Sequence, residues 1–195
     1  MIDYLKGKIE EISPTELVLE NNGIGYSILI SLQTYEILKE KSEAKVYIHY
    51  QVREDDREFY GFATKDEREL FKLLIGVNSV GVATARMMLS SMSSEEVRSA
   101  ILSEDLAKIK SVKGVGLKTA QKIIIELKDK IVKGEGSSVE TLPGMGRNED
   151  VEEATRALIM LGFSKQAVSK AIQKVLKENG ANSVEELIKA ALKLV

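Results

Sequence analysis

The residues whose types are best suited to binding a ligand lie in and after a short turn. The turn is Gly114-Val115-Gly116, and Lys118, Thr119 and Lys122 follow it. Glycine permits positive φ and a close approach of the backbone to a ligand. The free amides at the start of the helix that follows can bind an anion. Two lysines one turn apart and a hydroxyl add charge and a hydrogen-bond donor. The pattern predicts a phosphate-binding site at a helix N-terminus.

The turn occurs twice in the chain. Residues 73–85 align with residues 106–120, and each copy combines an apolar helix, a tight turn, a Val-Gly step and a second helix that starts near Thr-Ala. A single Gly-x-Gly turn can be a plain connection between helices. Two copies set among lysines favour binding of the DNA backbone, which is independent of base sequence and is weakened by salt.

The first copy departs from the second. Its predicted DNA-contacting residues are Asn78, Ser79, Gly81 and Arg86. Ser79 stands where the second copy has a glycine, and no lysine matches Lys118, although Arg86 one turn further on could compensate. We therefore assign the stronger phosphate contact to the second copy.

Charge is segregated along the chain. The 28 basic and 30 acidic residues give a net charge of −2, which by itself argues weakly against nucleic-acid binding. However, residues 106–133 carry eight lysines against two acidic residues, whereas residues 1–64 carry seven basic and twelve acidic residues. A local positive field of this kind attracts phosphate.

Three adjacent carboxylates, Glu54-Asp55-Asp56, are the other group that could do chemistry. They could form a solvated hairpin tip, or they could bind Mg²⁺ for phosphodiester cleavage. Neighbouring loop residues converge poorly, so the pattern disfavours a nuclease. The absence of cysteine and the single histidine, His49, exclude thiolate and two-histidine metal sites, and no ATP-binding phosphate loop occurs. The sequence predicts no cofactor, no metal and no catalytic residue.

The elements that would position these groups fall into a multi-domain α+β chain. Residues 1–64 alternate as about five short strands with a helix over residues 32–38, which predicts a small closed barrel of the oligonucleotide-binding (OB) kind. Residues 65–133 have helical periodicity and form the predicted tandem helix-hairpin-helix domain. Within it, Thr64 with Glu67 and Ser93 with Glu96 are predicted capping boxes, Ser103 is a predicted N-cap, and a helix is expected over about residues 117–132.

Residues 134–147 are rich in glycine and serine and predict a flexible linker. Residues 148–195 then contain three helix-sized segments, which predict a small bundle. The chain has no apolar run of about 20 residues and its first residues do not resemble a secretory signal, so we expect a cytoplasmic protein with no membrane contact.

Several motifs, taken in order, resemble those of the RuvA family. They are Gly23-Ile24-Gly25-Tyr26, Val52-Arg53-Glu54-Asp55, Phe59-Tyr60-Gly61-Phe62, Glu67-Arg68-Glu69-Leu70-Phe71, the two hairpins and Leu161-Gly162-Phe163. The resemblance spans nearly the whole chain. It implies an OB-fold barrel, a tandem helix-hairpin-helix domain and a flexibly linked C-terminal three-helix (UBA-like) bundle.

The resemblance also implies a function. A RuvA-type protein is a non-enzymatic homotetramer, alone or as two facing tetramers, that binds four-way (Holliday) DNA junctions in recombination and DNA repair, including the SOS response to DNA damage. Its implied partners are a RuvB-type hexameric AAA+ motor, contacted through the C-terminal domain, and a RuvC-type resolvase. The family's acidic pair at the junction centre corresponds here to Glu54 and Asp55, which would repel phosphates.

Two other functions remain open at this stage. A helix-hairpin-helix repair nuclease or glycosylase would use the hairpins only as anchors. A general single-strand-binding protein would use aromatic rings as stacking platforms. The candidate rings are Tyr26, Tyr47, Tyr50, Phe59 and Tyr60, for which packing is the ordinary alternative.

Overall fold

The computed structural model describes residues 2–54, 56–133, 148–178 and 183–194. The chain divides into two compact units, Met1–Val139 and Glu140–Val195. The first unit contains the barrel and the hairpin helices, and the second contains the C-terminal bundle. Among the described residues, no helix is long and apolar enough to cross a membrane.

The first unit begins with a closed barrel of five strands. They are β1 (Tyr4–Ile12), β2 (Glu16–Asn21), β3 (Ile24–Ile30), β4 (Glu43–Val52) and β5 (Arg57–Phe62), and helix α1 (Leu32–Leu38) lies between β3 and β4. The strand order around the barrel is β1-β2-β3-β5-β4, with β3 and β5 parallel and the other pairs antiparallel. This confirms the predicted OB-type barrel and its single helix.

Alternation along the strands fills the barrel interior. Leu17, Leu19, Ile28 and Ile30 are buried together, as the period of two requires. Gly61 is needed on β5 because a Cβ there would lie 2.5 Å from Ile28 Cγ2. The absence of a side chain at this position leaves room in the barrel for Ile28 of β3 and Val46 of β4, the two strands that pair with β5.

The rest of the first unit is helical. The helices are α2 (Lys65–Ile75), α3 (Val82–Ser91), α4 (Ser94–Leu102), α5 (Leu106–Lys110) and α6 (Leu117–Val132). Their core includes Leu70, Leu74, Ile109 and Ile123 and also takes in Phe62 from β5. The barrel interior and the hairpin helices therefore have separate cores, and β5 contributes Tyr60 and Phe62 to the helical one.

Two of the predicted caps differ from the structure. Thr64 caps α2 by accepting from the Glu67 amide at 3.1 Å, but the Glu67 carboxylate turns away to the hydroxyls of α1. Ser103 is the C-cap of α4, and Asp105 is the N-cap of α5. Only residues 103–105 separate α4 from α5. The Ser103 hydroxyl donates to the Ser99 carbonyl of α4 and therefore does not cap α5. The capping box at Ser93 and Glu96 is confirmed.

The second unit contains three helices, α7 (Asn148–Met160), α8 (Lys165–Glu178) and α9 (Val184–Ala191). Ala154, Leu158, Val168, Ile172 and Leu187 form its core. A three-helix bundle was predicted here and is confirmed. The predicted linker, residues 134–147, lies outside the described residues.

Candidate nucleic-acid interface

The two predicted hairpins have the same backbone geometry. In the first, α2 is followed by a turn in which the Val80 amide donates to the Val77 carbonyl at 3.0 Å. In the second, α5 is followed by a turn in which the Val115 amide donates to the Val112 carbonyl, also at 3.0 Å. All four valines are buried in the core of the hairpin helices. The duplication predicted from the sequence is therefore a duplication of structure.

Ser79 and Gly114 occupy equivalent positions with φ of 85° and 90°. Glycine adopts this left-handed conformation readily, whereas serine does so at a cost. Ser79 thus reproduces the turn of the second hairpin despite its side chain.

Each turn ends in a helix whose N-terminus has no side-chain cap. Gly81 is the N-cap of α3 and Gly116 is the N-cap of α6, and both are extended, with φ of −84° and −80°. Both glycines are exposed, and an added Cβ would meet nothing within 4 Å. Of the two glycines that permit positive φ in the second turn, Gly114 adopts it and Gly116 does not. An open space in front of uncapped amides is what a phosphate oxygen would occupy.

The lysines of the second hairpin lie at the same surface. Lys118 and Lys122 are exposed and Thr119 is half-buried on the first turns of α6. Lys122 Nζ lies 3.5 Å from Ser79 Oγ, so the fold brings the second helix of one hairpin against the turn of the other. Neither Lys118 nor Lys122 forms an ion pair with a described residue, which leaves both charges available.

Arg86 points elsewhere. Its guanidinium donates to the Thr15 carbonyl of the barrel at 3.4 Å. Asn78 beside the first turn is exposed. In this arrangement the first turn presents backbone amides without a nearby basic side chain of its own, and Lys122 supplies the charge.

The acidic loop joins β4 to β5. Glu54 is exposed there, and the Arg53 amide donates to the Asp56 carbonyl at 2.8 Å to close the turn. Asp55, the other half of the predicted acidic pair, lies outside the described residues. Among the residues that the structure describes, no group of three metal-ligating side chains is found.

Four of the five residues considered as stacking platforms pack against other aromatic rings, and the fifth, Tyr47, lies against Lys45 and Arg68. Phe59 stacks on Tyr50 with ring centroids 4.9 Å apart and meets Tyr26 edge-on at 6.1 Å, at the margin of the barrel core. Tyr60 and His49 lie against Phe71 of α2. Burial raises the pKa of Tyr60 to about 12 and lowers the pKa of His49, as expected for packed side chains.

Three family models match the chain in order. They are the RuvA N terminal domain over residues 1–61, the SAM-like helix-hairpin-helix tandem over residues 71–129 and the RuvA C-terminal domain over residues 149–195. Proteins named "Holliday junction branch migration complex subunit RuvA" are similar along their whole length. The one from Christiangramia forsetii is 49% identical over 193 residues, covering 99% of both chains, and one from Bacteroides fragilis is 48% identical over 200 residues at the same coverage. The Porphyromonas gingivalis protein is 43% identical over 203 residues, covering 100% of both chains. The chain belongs to the RuvA family.

Sequence reasoning missed how this RuvA family member joins its barrel to its hairpins. Glu67 and Arg68, at the start of α2, are each 4% exposed and bond to the barrel. The available signal was a pair of adjacent opposite charges on the face of an amphipathic helix that also carries Leu70 and Phe71. Their partners lie more than 30 residues away, so local pattern could not identify them.

Proposed function

We propose that the chain binds four-way DNA junctions as a non-catalytic subunit of a branch-migration complex in recombination and DNA repair. The observation that carries the proposal is the pair of matching hairpins, each ending in an exposed, uncapped helix N-terminus, with Lys122 beside the turn of the other hairpin. Such sites hold phosphates irrespective of base sequence. The full-length similarity to proteins named as Holliday junction branch migration subunits agrees with this function.

The proposed DNA-contacting residues divide into two groups. Those proposed to bind the backbone through amides, hydroxyls and charge are Asn78, Ser79, Gly81, Arg86, Gly114, Gly116, Lys118, Thr119 and Lys122. Of these, Arg86 must exchange its bond to the Thr15 carbonyl for a phosphate. Glu54 and Asp55 form the proposed acidic pair, whose charge would repel phosphates and so favour strands that separate at a crossover.

The proposed assembly is a homotetramer, alone or as two facing tetramers, in the cytoplasm. Four copies of one surface match the four arms of a junction. Individually weak phosphate contacts then combine through multivalency. A RuvB-type ATPase motor docks on the C-terminal bundle, and a RuvC-type resolvase joins the same complex. Energy for strand exchange comes from the motor, because the sequence lacks an ATP-binding phosphate loop.

A competition gel shift tests the proposal. Purified full-length protein is titrated into labelled four-way junction against linear duplex and single strand, in moderate salt with chelator present. We expect strong preference for the junction. Lys118→Ala with Lys122→Ala should weaken binding and lower the dependence of log affinity on log salt by about 0.9 for each phosphate that is no longer neutralised. Lys41→Ala, at an exposed lysine of the barrel, is the matched control.

Two other outcomes would contradict the proposal and indicate a different function. Equal affinity for all three DNAs would indicate a general single-strand-binding or repair protein. Cleavage of the junction by pure protein in Mg²⁺, abolished by Glu54→Gln with Asp55→Asn, would indicate a nuclease.

A further inference from the structure

Two adjacent side chains of α2 are buried where the barrel meets the hairpin helices. Glu67 and Arg68 have opposite charges, and each is 4% exposed. They do not pair with each other in the hydrogen bonds of the structure. Each bonds instead to a different part of the barrel domain, and Arg68 also pairs with its neighbour Glu69 on α2.

Glu67 joins α2 to α1. One carboxylate oxygen accepts from the Ser31 hydroxyl and the other accepts from Thr34 Oγ1 at 2.7 Å. Thr34 Oγ1 in turn accepts from the Ala63 amide at 2.9 Å, directly before α2. Burial raises the pKa of Glu67. A buried carboxylate among neutral hydroxyls is costly unless its bonds are all made, so the network tolerates little displacement of either helix.

Arg68 joins α2 to the start of the barrel. Its guanidinium donates to the Asp3 carboxylate at 2.6 Å and to the Asp3 carbonyl at 2.8 Å, and it lies 5.4 Å from the Tyr47 ring. The ion pair lowers the pKa of Asp3. Together with the covalent connection at Ala63 and Thr64, these two attachments oppose rotation of α2 relative to the barrel, although Asp3 itself is 62% exposed.

We propose that Glu67 is a positioning residue that sets the angle between the barrel and the hairpin helices by accepting hydrogen bonds from Ser31 and Thr34, and that this angle determines preference for junctions over linear duplex. The inference rests on the proposed function. The acidic loop belongs to the barrel and the phosphate-binding turns belong to the helices, so a change of angle moves one against the other. A linear duplex needs only the turns.

The first measurement is a distance distribution without DNA. The chain has no cysteine, so Lys6→Cys in the barrel and Lys113→Cys in the second turn, both at exposed residues, give two spin-label sites in each chain. Assembly with an excess of unlabelled protein restricts the measured distances to pairs within one chain. We expect a narrow distribution in the parent and a broader one in Glu67→Ala. Glu67→Gln keeps the shape and one acceptor oxygen and should give an intermediate or narrow distribution.

Two further variants keep this measurement decisive. Thr34→Val removes the donor to Glu67, and with it the acceptor of the Ala63 amide, at nearly constant volume and should also broaden the distribution. Ile101→Ala destabilises the hairpin core at a fully buried residue of α4 without touching the network, and should leave the distribution narrow. A folded Glu67→Ala or Thr34→Val protein with the parent's distribution would overturn the positioning role.

The second measurement is the ratio of junction to duplex affinity in the unlabelled variants. Glu67→Ala should lower this ratio about tenfold, or about 1.4 kcal/mol, with partial rescue in Glu67→Gln and no change in Ile101→Ala. Broadened distances with an unchanged ratio would overturn the link to junction preference. A parent protein without junction preference would refute the proposed function and this link, while the distances would still decide the positioning role.

Discussion

The two turns have the same backbone shape but differ in conformational strain, because Ser79 carries a side chain and Gly114 does not. Both residues have φ near 90°, where a side chain costs about 1–2 kcal/mol relative to the right-handed region. The second turn avoids this cost and the first does not. Nothing lies within 4 Å of a Cβ built at Gly114, so the cost of a side chain there is conformational and not steric.

This difference predicts unequal effects of matched substitutions. Gly114→Ala should lower the free energy of unfolding by about 1 kcal/mol because the strain outweighs the reduced entropy of the unfolded chain. Ser79→Gly should change it little, since relief of strain is offset by a more flexible unfolded chain. Urea unfolding of the two variants measures both effects. A Gly114→Ala protein as stable as the parent would show that the turn relaxes to another conformation.

At the scale of elements, sequence periodicity predicted the helices and turns that depend on neighbouring residues alone. The bounds of α1 and α6 agree with the sequence analysis, and both helical hairpins were recognised from their repeated turns. Within β1, a register shift between Ile9 and Glu11 interrupts the pairing with β2, and no local sequence pattern predicted it. The site was predicted in parts only: the turns were identified, but the approach of Lys122 to Ser79 and the bonds of Glu67 depend on packing between distant segments.

A substitution at the uncapped start of α6 should change the stability of the protein and its affinity for DNA in opposite directions. Gly116 has the extended backbone of an N-cap residue and lacks a side chain to accept from the helix amides. Gly116→Asp should stabilise the hairpin by about 0.5–1 kcal/mol through capping and the helix dipole. The same carboxylate would occupy the proposed phosphate position and repel DNA, so affinity for the junction should fall.

Gly116→Ser is the control for this substitution, since it caps the helix without adding charge. Thermal unfolding should show both variants at or above the parent's melting temperature. Junction titration should show a much larger decrease in affinity for Gly116→Asp than for Gly116→Ser. A stabilised Gly116→Asp protein that binds junction as the parent does would remove α6 from the proposed interface.

At the scale of the molecule, the two proposed tasks, DNA binding and partner binding, belong to two separately packed units. The phosphate-binding turns and the acidic loop belong to one compact unit, whereas α7, α8 and α9 form another and bury a core of their own. The bundle also exposes apolar side chains, with Met160 at 88% and Leu161 at 63% exposure. Apolar exposure on a separately packed unit is consistent with the partner-binding role proposed for the bundle.

This separation predicts the effect of removing residues 148–195. Junction affinity should stay within about twofold of the full chain, because all of the proposed DNA-contacting residues precede the deletion; twofold corresponds to about 0.4 kcal/mol. Motor-driven branch migration should be abolished, because the motor would have no docking unit. Gel shifts and a strand-dissociation assay with the motor and ATP measure the two activities on the same junction. A truncated protein that folds but fails to bind junction would place DNA contacts in the bundle, and one that supports the full migration rate would place the motor contact in the first unit.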